Sequence, residues 1–160
     1  MNIEIVRADY ANLRHADDIP MLLNEYAQDP MGGGKGLDPR VQTGLVDALA
    51  RVPNAFSVLA YVDEQPAGLV NCFQAFSTFA CKPIINIHDV VVLKPYRGVG
   101  LSHRMLERVE TIARERGCCK VTLEVLSGNE AAKASYQRFG FAGYELDPET
   151  GVALFWEKKL

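Results

Sequence analysis

Apolar positions recur along this chain in two periods, and the changes from one period to the other mark its elements. Between Asn2 and Arg7 they alternate, Ile3 and Ile5 against Asn2 and Glu4, which predicts a first strand. From His15 to Asp29 the spacing becomes helical. Ile19, Leu22, Leu23 and Tyr26 share a face, Asp17 or Asp18 serves the N-terminal end, and Pro20 is assigned to a tolerant first turn. Pro30-Met31-Gly32-Gly33-Gly34-Lys35-Gly36 carries neither period and reads as a mobile loop. Asp38 then caps a second helix with Pro39 at its first position and Val41, Leu45, Val46 and Leu49 facing inward. Phe56 to Val62 and Ala67 to Phe76 form a hairpin across Asp63-Glu64-Gln65-Pro66.

The chain is organised around Ile84 to Leu106, which reads as strand, glycine turn and helix. Ile85, Ile87 and Val90-Val91-Val92-Leu93 suit a buried strand, and Pro95 ends it for want of an N–H. Arg97-Gly98-Val99-Gly100-Leu101-Ser102 turns into a helix that runs to Gly117, with Leu101, Met105, Leu106, Val109 and Ile112 at helical spacing. A helix that starts in a glycine turn offers backbone N–H groups and a positive dipole end to a phosphate or pyrophosphate. Arg97 adds a fixed charge. Glycines here also fit plain tightness of the turn, and the spacing is neither that of a dinucleotide fold nor that of a nucleoside-triphosphate loop.

Past this helix, Cys119 to Leu126 alternates as a strand, with Val121, Leu123 and Val125 on one side and Thr122 and Glu124 on the other. A short helix carrying Ala131, Ala132, Ala134 and Ser135 follows, with Tyr136 in its last turn and Gly140 at a left-handed C-cap. Phe141 to Leu146 and Gly151 to Trp156 read as a closing hairpin across Asp147-Pro148-Glu149-Thr150.

Composition narrows the classes. At 160 residues and 48% hydrophobic content, the chain supports one globular domain, residues 1–160, with a sizeable core. A net charge of −3 without a basic stripe argues against nucleic acid. No apolar run is long enough to span a bilayer, and the N-terminus lacks the pattern of a signal peptide. Cys72, Cys81, Cys118 and Cys119 lack metal-site spacing and read as reduced packing thiols, with a catalytic cysteine the minor alternative, which implies a cytoplasmic protein and no metal.

Two motifs together are specific. The R-x-x-G-x-G/A-type turn at Arg97 to Ser102 and the N-x-x-A-x-x-x-Y-x-x-x-G-F run from Asn129 to Phe141 resemble the GNAT superfamily of acetyl-CoA-dependent N-acetyltransferases. Ser102 stands where Gly or Ala is usual. Phe76-Ser77-Thr78-Phe79, the pair before Val90-Val91-Val92, and Gly151-Val152-Ala153-Leu154-Phe155 are most similar to the diamine (spermidine/spermine and thialysine) acetyltransferases. The resemblance implies an α/β (α+β) fold: a mixed, mainly antiparallel sheet of about seven strands, splayed at its central strand and flanked by four helices.

It further implies acetyl-CoA as co-substrate, with the backbone of Val90, Val91 and Val92 pairing with the pantetheine arm. The pyrophosphate would lie over the amides of Gly98, Val99, Gly100, Leu101, Ser102 and His103, beside Arg97. Asn129 matches a pantetheine contact and equally suits a helix N-cap. Tyr136 matches the general acid that protonates the leaving thiolate, since a phenol with a pKa of about 10 stays protonated at neutral pH. The base falls to His88, to Asp89 or to a water they hold; imidazole titrates near neutrality. In a regular strand His88 and Asp89 point to opposite faces, unless a bulge re-aims one. Glu124 is a further candidate.

The expected acceptor is a small primary amine, with a peptide or protein amine as the rival. Asp18, Glu25 and Asp29 could draw it in, though a solvated helix face is the preferred account of them. The loop from Gly32 to Gly36 suits a lid. A non-catalytic acyl-CoA sensor is the alternative from another class. Family members often pair through their C-terminal strands, so the resemblance implies a homodimer. Phe155 and Trp156 fit that contact or the core.

Overall fold

A computed structural model describes residues 1–144 and 147–160. It divides the chain into two compact units, Met1–Leu126 and Ser127–Leu160.

The first unit is a five-stranded sheet in the order β1 (Ile3–Arg7), β2 (Phe56–Val62), β3 (Gln65–Ser77), β4 (Lys82–Val92), β5 (Val121–Leu123). Neighbours are antiparallel except β4 and β5, which run parallel. Parallel strands need a crossover; helix α3 (Leu101–Glu115) supplies it, burying Leu101, Met105, Leu106, Val109 and Ile112. Helices α1 (Leu13–Gln28) and α2 (Pro39–Arg51) cover the opposite face. There Ile19, Leu22, Val46 and Leu49 pack with Leu59 and Tyr61 of β2, Leu69 of β3 and Val91 of β4.

Gly68 fixes how close α3 comes. A Cβ at Gly68 would lie 2.8 Å from Met105 Cε and 3.0 Å from the Val91 carbonyl oxygen, so the absent side chain lets α3 pack on the strand pair. Gly68 and Leu69 are consecutive strand residues and face opposite sides, which assigns α3 to one face and α1 with α2 to the other.

Several boundaries differ from the sequence reading. α1 begins at Leu13, capped by the Asn12 side chain rather than by Asp17 or Asp18, so Pro20 lies inside the helix and not in its first turn. Asp38 and Pro39 do open α2, where Val46 and Leu49 are buried but Val41 is exposed. The glycine-rich segment is built rather than slack. Pro30–Gly32 form a 3-10 turn capped by Asp29, Gly34 N–H donates to the Asp29 carbonyl at 2.9 Å, and Lys35 N–H to the Ala27 carbonyl at 3.0 Å. The predicted strand from Cys119 to Leu126 shortens to three residues, which leaves Glu124 exposed beyond it.

In the second unit, α4 (Glu130–Phe139) has Asn129 at its N-cap, and Gly140 at φ 115° forms the expected left-handed C-cap. The closing hairpin does not form among the described residues. Phe141–Tyr144 is irregular, Leu146 lies outside the described residues, and only an isolated bridge at Val152 marks the last stretch. The sheet therefore has five strands, not seven. Apolar character in Val152-Ala153-Leu154-Phe155-Trp156 is continuous rather than alternating, and a lone hairpin is marginal in water without a sheet to join.

Candidate active site

The central feature is a one-residue irregularity in β4. Asn71 of β3 pairs with Asp89, but Cys72 pairs with Ile87, so His88 is an extra residue on β4: a β-bulge. The consequence for direction follows from register. Phe73 pairs with Asn86 on one side of the bulge, and Asn71 pairs with Asp89 on the other. Phe73, Asn71 and Leu69 alternate onto the α1/α2 face, and directly opposed residues share a face. His88, two residues after Asn86, points that way as well, and its ring meets Phe73 edge-on at 5.5 Å. The bulge thus puts His88 and Asp89 on the same face, where a regular strand would have separated them. Ile85 and Ile87 remain buried on the α3 side.

Asp89 has company that the sequence reading missed. Asn71 Nδ2 donates to Asp89 Oδ2 at 3.0 Å. The Tyr26 phenol of α1 is raised above its usual range, first by burial and then by the nearby carboxylates of Asp89 and Asp29. Asn71 was visible as one polar residue inside the apolar run Gly68-Leu69-Val70-Asn71-Cys72-Phe73; Tyr26 had been counted as helix core.

The other edge of β4 is open along the same stretch. β5 pairs only with Ile85, Asn86 and Ile87. From His88 to Val92, β4 has no strand partner on that side among the described residues. The chain then passes Leu93 and a 3-10 turn, Lys94–Tyr96, and reaches Gly98 and Gly100 at φ 85° and 82°. These left-handed values favour glycine. Gly100 is the N-cap of α3, with no side chain capping the helix, and a Cβ at either glycine would meet nothing within 4 Å. A strand edge with exposed backbone groups, followed by a clear helix N-terminus, fits an extended pantetheine arm and its pyrophosphate. Val90, Val91 and Val92 lead directly through the 3-10 turn to the Gly98–His103 turn.

Arg97 is held rather than loose. Its Nε donates to the Val92 carbonyl at 3.0 Å, and its Nη2 lies 3.6 Å from Asp29 Oδ2, tying the glycine loop to the turn. Asp29 also caps the 3-10 turn, and Asp18 accepts from the Tyr61 hydroxyl at 2.7 Å. Both acids are engaged within the fold, whereas Glu25 is exposed. His103, exposed on α3, lies 3.4 Å from Glu107.

Tyr136 and Asn129 belong to the second unit. Tyr136 lies in the last turn of α4, with its ring edge-on to Phe141 at 6.0 Å. The Asn129 side-chain oxygen accepts from Ala132 N–H at 3.2 Å, the cap its position suggested. All four cysteines are free, and burial, with Asp89 adding to it and Arg116 opposing it, pushes the Cys72 thiol far up. Among the described residues no group of three potential metal ligands occurs, and no helix is long and apolar enough to cross a membrane.

The chain is similar to known acetyltransferases. The model of the acetyltransferase (GNAT) family matches residues 19–141. An N-alpha-acetyltransferase MAK3 of Arabidopsis thaliana is 44% identical over 52 residues, 32% of this chain and 27% of that protein. A thialysine N-epsilon-acetyltransferase of Caenorhabditis elegans is 27% identical over 78 residues, 49% of this chain and 48% of that protein. The matched stretches thus span between about a quarter and a half of these relatives' own length. The aminoglycoside acetyltransferase AAC(6')-Iy, solved with a bisubstrate analog, superposes with a TM-score of 0.78 over 100% of both chains at 15% identity, a likeness of fold.

Proposed function

The chain belongs to the GNAT acetyltransferase family, and from that premise we propose that it is an acetyl-CoA-dependent N-acetyltransferase of a small primary amine, working by direct transfer. The observation that carries this reading is the bulge at His88. It sets two proton-handling side chains on one face of β4, while the edge beside Val90–Val92 stays open and leads to the glycine turn.

Acetyl-CoA supplies the activated thioester. Backbone groups of Val90, Val91 and Val92 hold its pantetheine arm as an added strand, and the amides of Gly98, Val99, Gly100, Leu101, Ser102 and His103 take the pyrophosphate. Arg97 keeps the turn fixed against Val92 and Asp29. His88, with Asp89 beside it, removes a proton from the substrate ammonium, directly or through water, and frees the nitrogen lone pair. As the new C–N bond forms and the C–S bond breaks, Tyr136 gives its phenolic proton to the departing sulfur, and the proton shed by the new amide nitrogen restores the phenol. Asn129 contributes an amide N–H donor to the pantetheine arm.

A carboxylate, an imidazole and the Tyr26 phenol on the acceptor face suit a protonated amine, and the similarity to a thialysine acetyltransferase supports a small one. A peptide α-amine is the second reading, supported by the match to an N-alpha-acetyltransferase. A homodimer in the cytoplasm completes the proposal.

The test is acetyl-CoA-dependent thiol release with thialysine, spermidine, an aminoglycoside and a peptide bearing a free N-terminus, with Tyr136→Phe alongside. Turnover on a small amine, reduced at least about tenfold in Tyr136→Phe, is the expected result. Turnover on the peptide alone would move the reading to the second acceptor. Coenzyme A binding without turnover on any amine would replace enzyme by sensor.

A further inference from the structure

On the α1/α2 face, a line of polar side chains crosses three strands through apolar core. The Tyr10 hydroxyl lies 2.9 Å from Ser57 Oγ, Ser57 Oγ donates to Asn71 Oδ1 at 2.6 Å, and Asn71 Nδ2 donates to Asp89 Oδ2 at 3.0 Å. Ser57 is 0% exposed and Asn71 is 3% exposed, the two buried polar residues of the core. Burying an amide and a hydroxyl in strand interiors costs free energy unless both are satisfied, and here each is satisfied through the next.

The direction of the chain follows from its last member. An ionised carboxylate only accepts, so the Asn71 NH2 faces Asp89 and its carbonyl faces Ser57. Ser57 must spend its single proton on that carbonyl, and Tyr10 must then donate to Ser57. Every hydrogen points toward Asp89. An amide in the path conducts no proton, so this is an orienting chain rather than a wire. It ends at the residue paired with Asn71 across the strands, immediately after the bulge.

We infer that Asn71 is a positioning residue for Asp89, with Ser57 and Tyr10 supporting it, and that this buried chain fixes the carboxylate at the bulge for work on the substrate ammonium. The inference rests on Asp89 taking part in proton removal, as proposed above. Charge-assisted hydrogen bonds are the strong ones, and the bulge is where strand alternation no longer dictates direction, so an external hold is needed there. The Tyr26 phenol and the Cys72 thiol also feel the Asp89 charge, and His88 precedes it in the chain.

The test is a double-mutant cycle of Asn71→Leu and Asp89→Asn, read as kcat and KM on the amine with the highest turnover in the panel above. Asn71→Leu is expected to lower kcat about 10- to 100-fold, the usual effect of losing a hydrogen bond to a charged group, with KM for acetyl-CoA unchanged. In the Asp89→Asn background the same change should cost less than about threefold, because its target is gone. Ser57→Ala runs the same cycle with a smaller loss, and keeps the test sound if Asn71→Leu does not fold. Losses that multiply in full would make Asn71 a structural residue and overturn the inference while leaving Asp89 in its role. Full turnover in Asp89→Asn would remove Asp89 from the mechanism, leave His88 as base and overturn the inference with it. Absence of turnover on every amine would overturn both.

Discussion

Replacing Gly32 by alanine tests whether the glycine-rich segment is a built part of the acceptor face. A Cβ at Gly32 would overlap the Tyr26 carbonyl oxygen and lie 2.8 Å from the Tyr26 carbonyl carbon and 3.2 Å from Ala27 Cα. All three atoms are backbone of α1 and cannot swing aside, so the loop has to lift. Lifting gives up Gly32 N–H to Asp29 O at 2.8 Å, Gly34 N–H to Asp29 O at 2.9 Å and Lys35 N–H to Ala27 O at 3.0 Å. At a net worth of about 0.5–1.5 kcal/mol each, and with water replacing them at this surface, the expected loss is roughly 2 kcal/mol. The assays are urea unfolding and amide hydrogen exchange. The midpoint should fall by that amount divided by the unchanged slope, and protection at residues 32–35 should vanish. The loop also carries Asp29, the partner of Arg97, and adjoins Tyr26. KM for the amine should therefore rise at least about threefold, with a smaller rise in KM for acetyl-CoA as Arg97 loses one of its two holds. A wild-type midpoint with intact protection at residues 32–35 would refute the steric reasoning.

Two further outcomes follow from the core. Gly68→Ala should cost about 1–3 kcal/mol by overpacking, since the new Cβ meets Met105 Cε and the Val91 carbonyl. It should also raise KM for acetyl-CoA by displacing β4 and α3 together; coenzyme A titration calorimetry at wild-type strength would contradict this. Burial pushes the Cys72 thiol far above its ordinary value of 9.0, so the folded state keeps a proton that the unfolded chain gives up. That contribution is complete below about pH 9 and is lost as pH rises, at about 1.4 kcal/mol per pH unit. Tyr10, Tyr26 and Tyr61, raised from 10.0, add to the fall from about pH 10. Unfolding free energy measured from pH 7 to 11 should be flat and then drop, and Cys72→Ala should make the fall between about pH 9 and about pH 10 shallower, the raised Cys118 thiol accounting for what is left of it.

What was legible in the sequence follows the reach of each interaction. Strands β1 to β4 and helix α3 are written in local periodicity, and the glycine turn in residues whose φ values are positive. The bulge is not written locally. Nothing in Ile87-His88-Asp89-Val90 says that one residue is extra, because the count is set by pairing with Asn71 and Cys72, about sixteen positions away. The same distance hid the hydrogen-bond partner of Asp89. The G-G-G-K-G segment reads as a mobile loop because glycine content speaks of freedom, whereas the crowding against Tyr26 that requires Gly32 is set by the fold. Val152 to Trp156 misled in the opposite sense, since apolar residues announce burial or pairing without naming the partner strand.

In the proposed mechanism the bulge also answers a conflict built into transfer chemistry on a sheet. Binding the co-substrate through backbone groups asks for an unpaired strand edge, and proton removal asks for two side chains on one face. An interior strand of regular geometry offers neither, since both edges are paired and neighbouring residues diverge. Here the β5 ladder stops at Ile87↔Leu123, and the extra residue is His88, the next position along β4. One added residue therefore brings His88 alongside Asp89 at the point where Val90–Val92 become available on the other edge. An aligned pair created this way has lost the alternation that would hold its direction, which is why the one amide buried across from it, Asn71, is the residue whose removal should be felt in kcat before it is felt in binding.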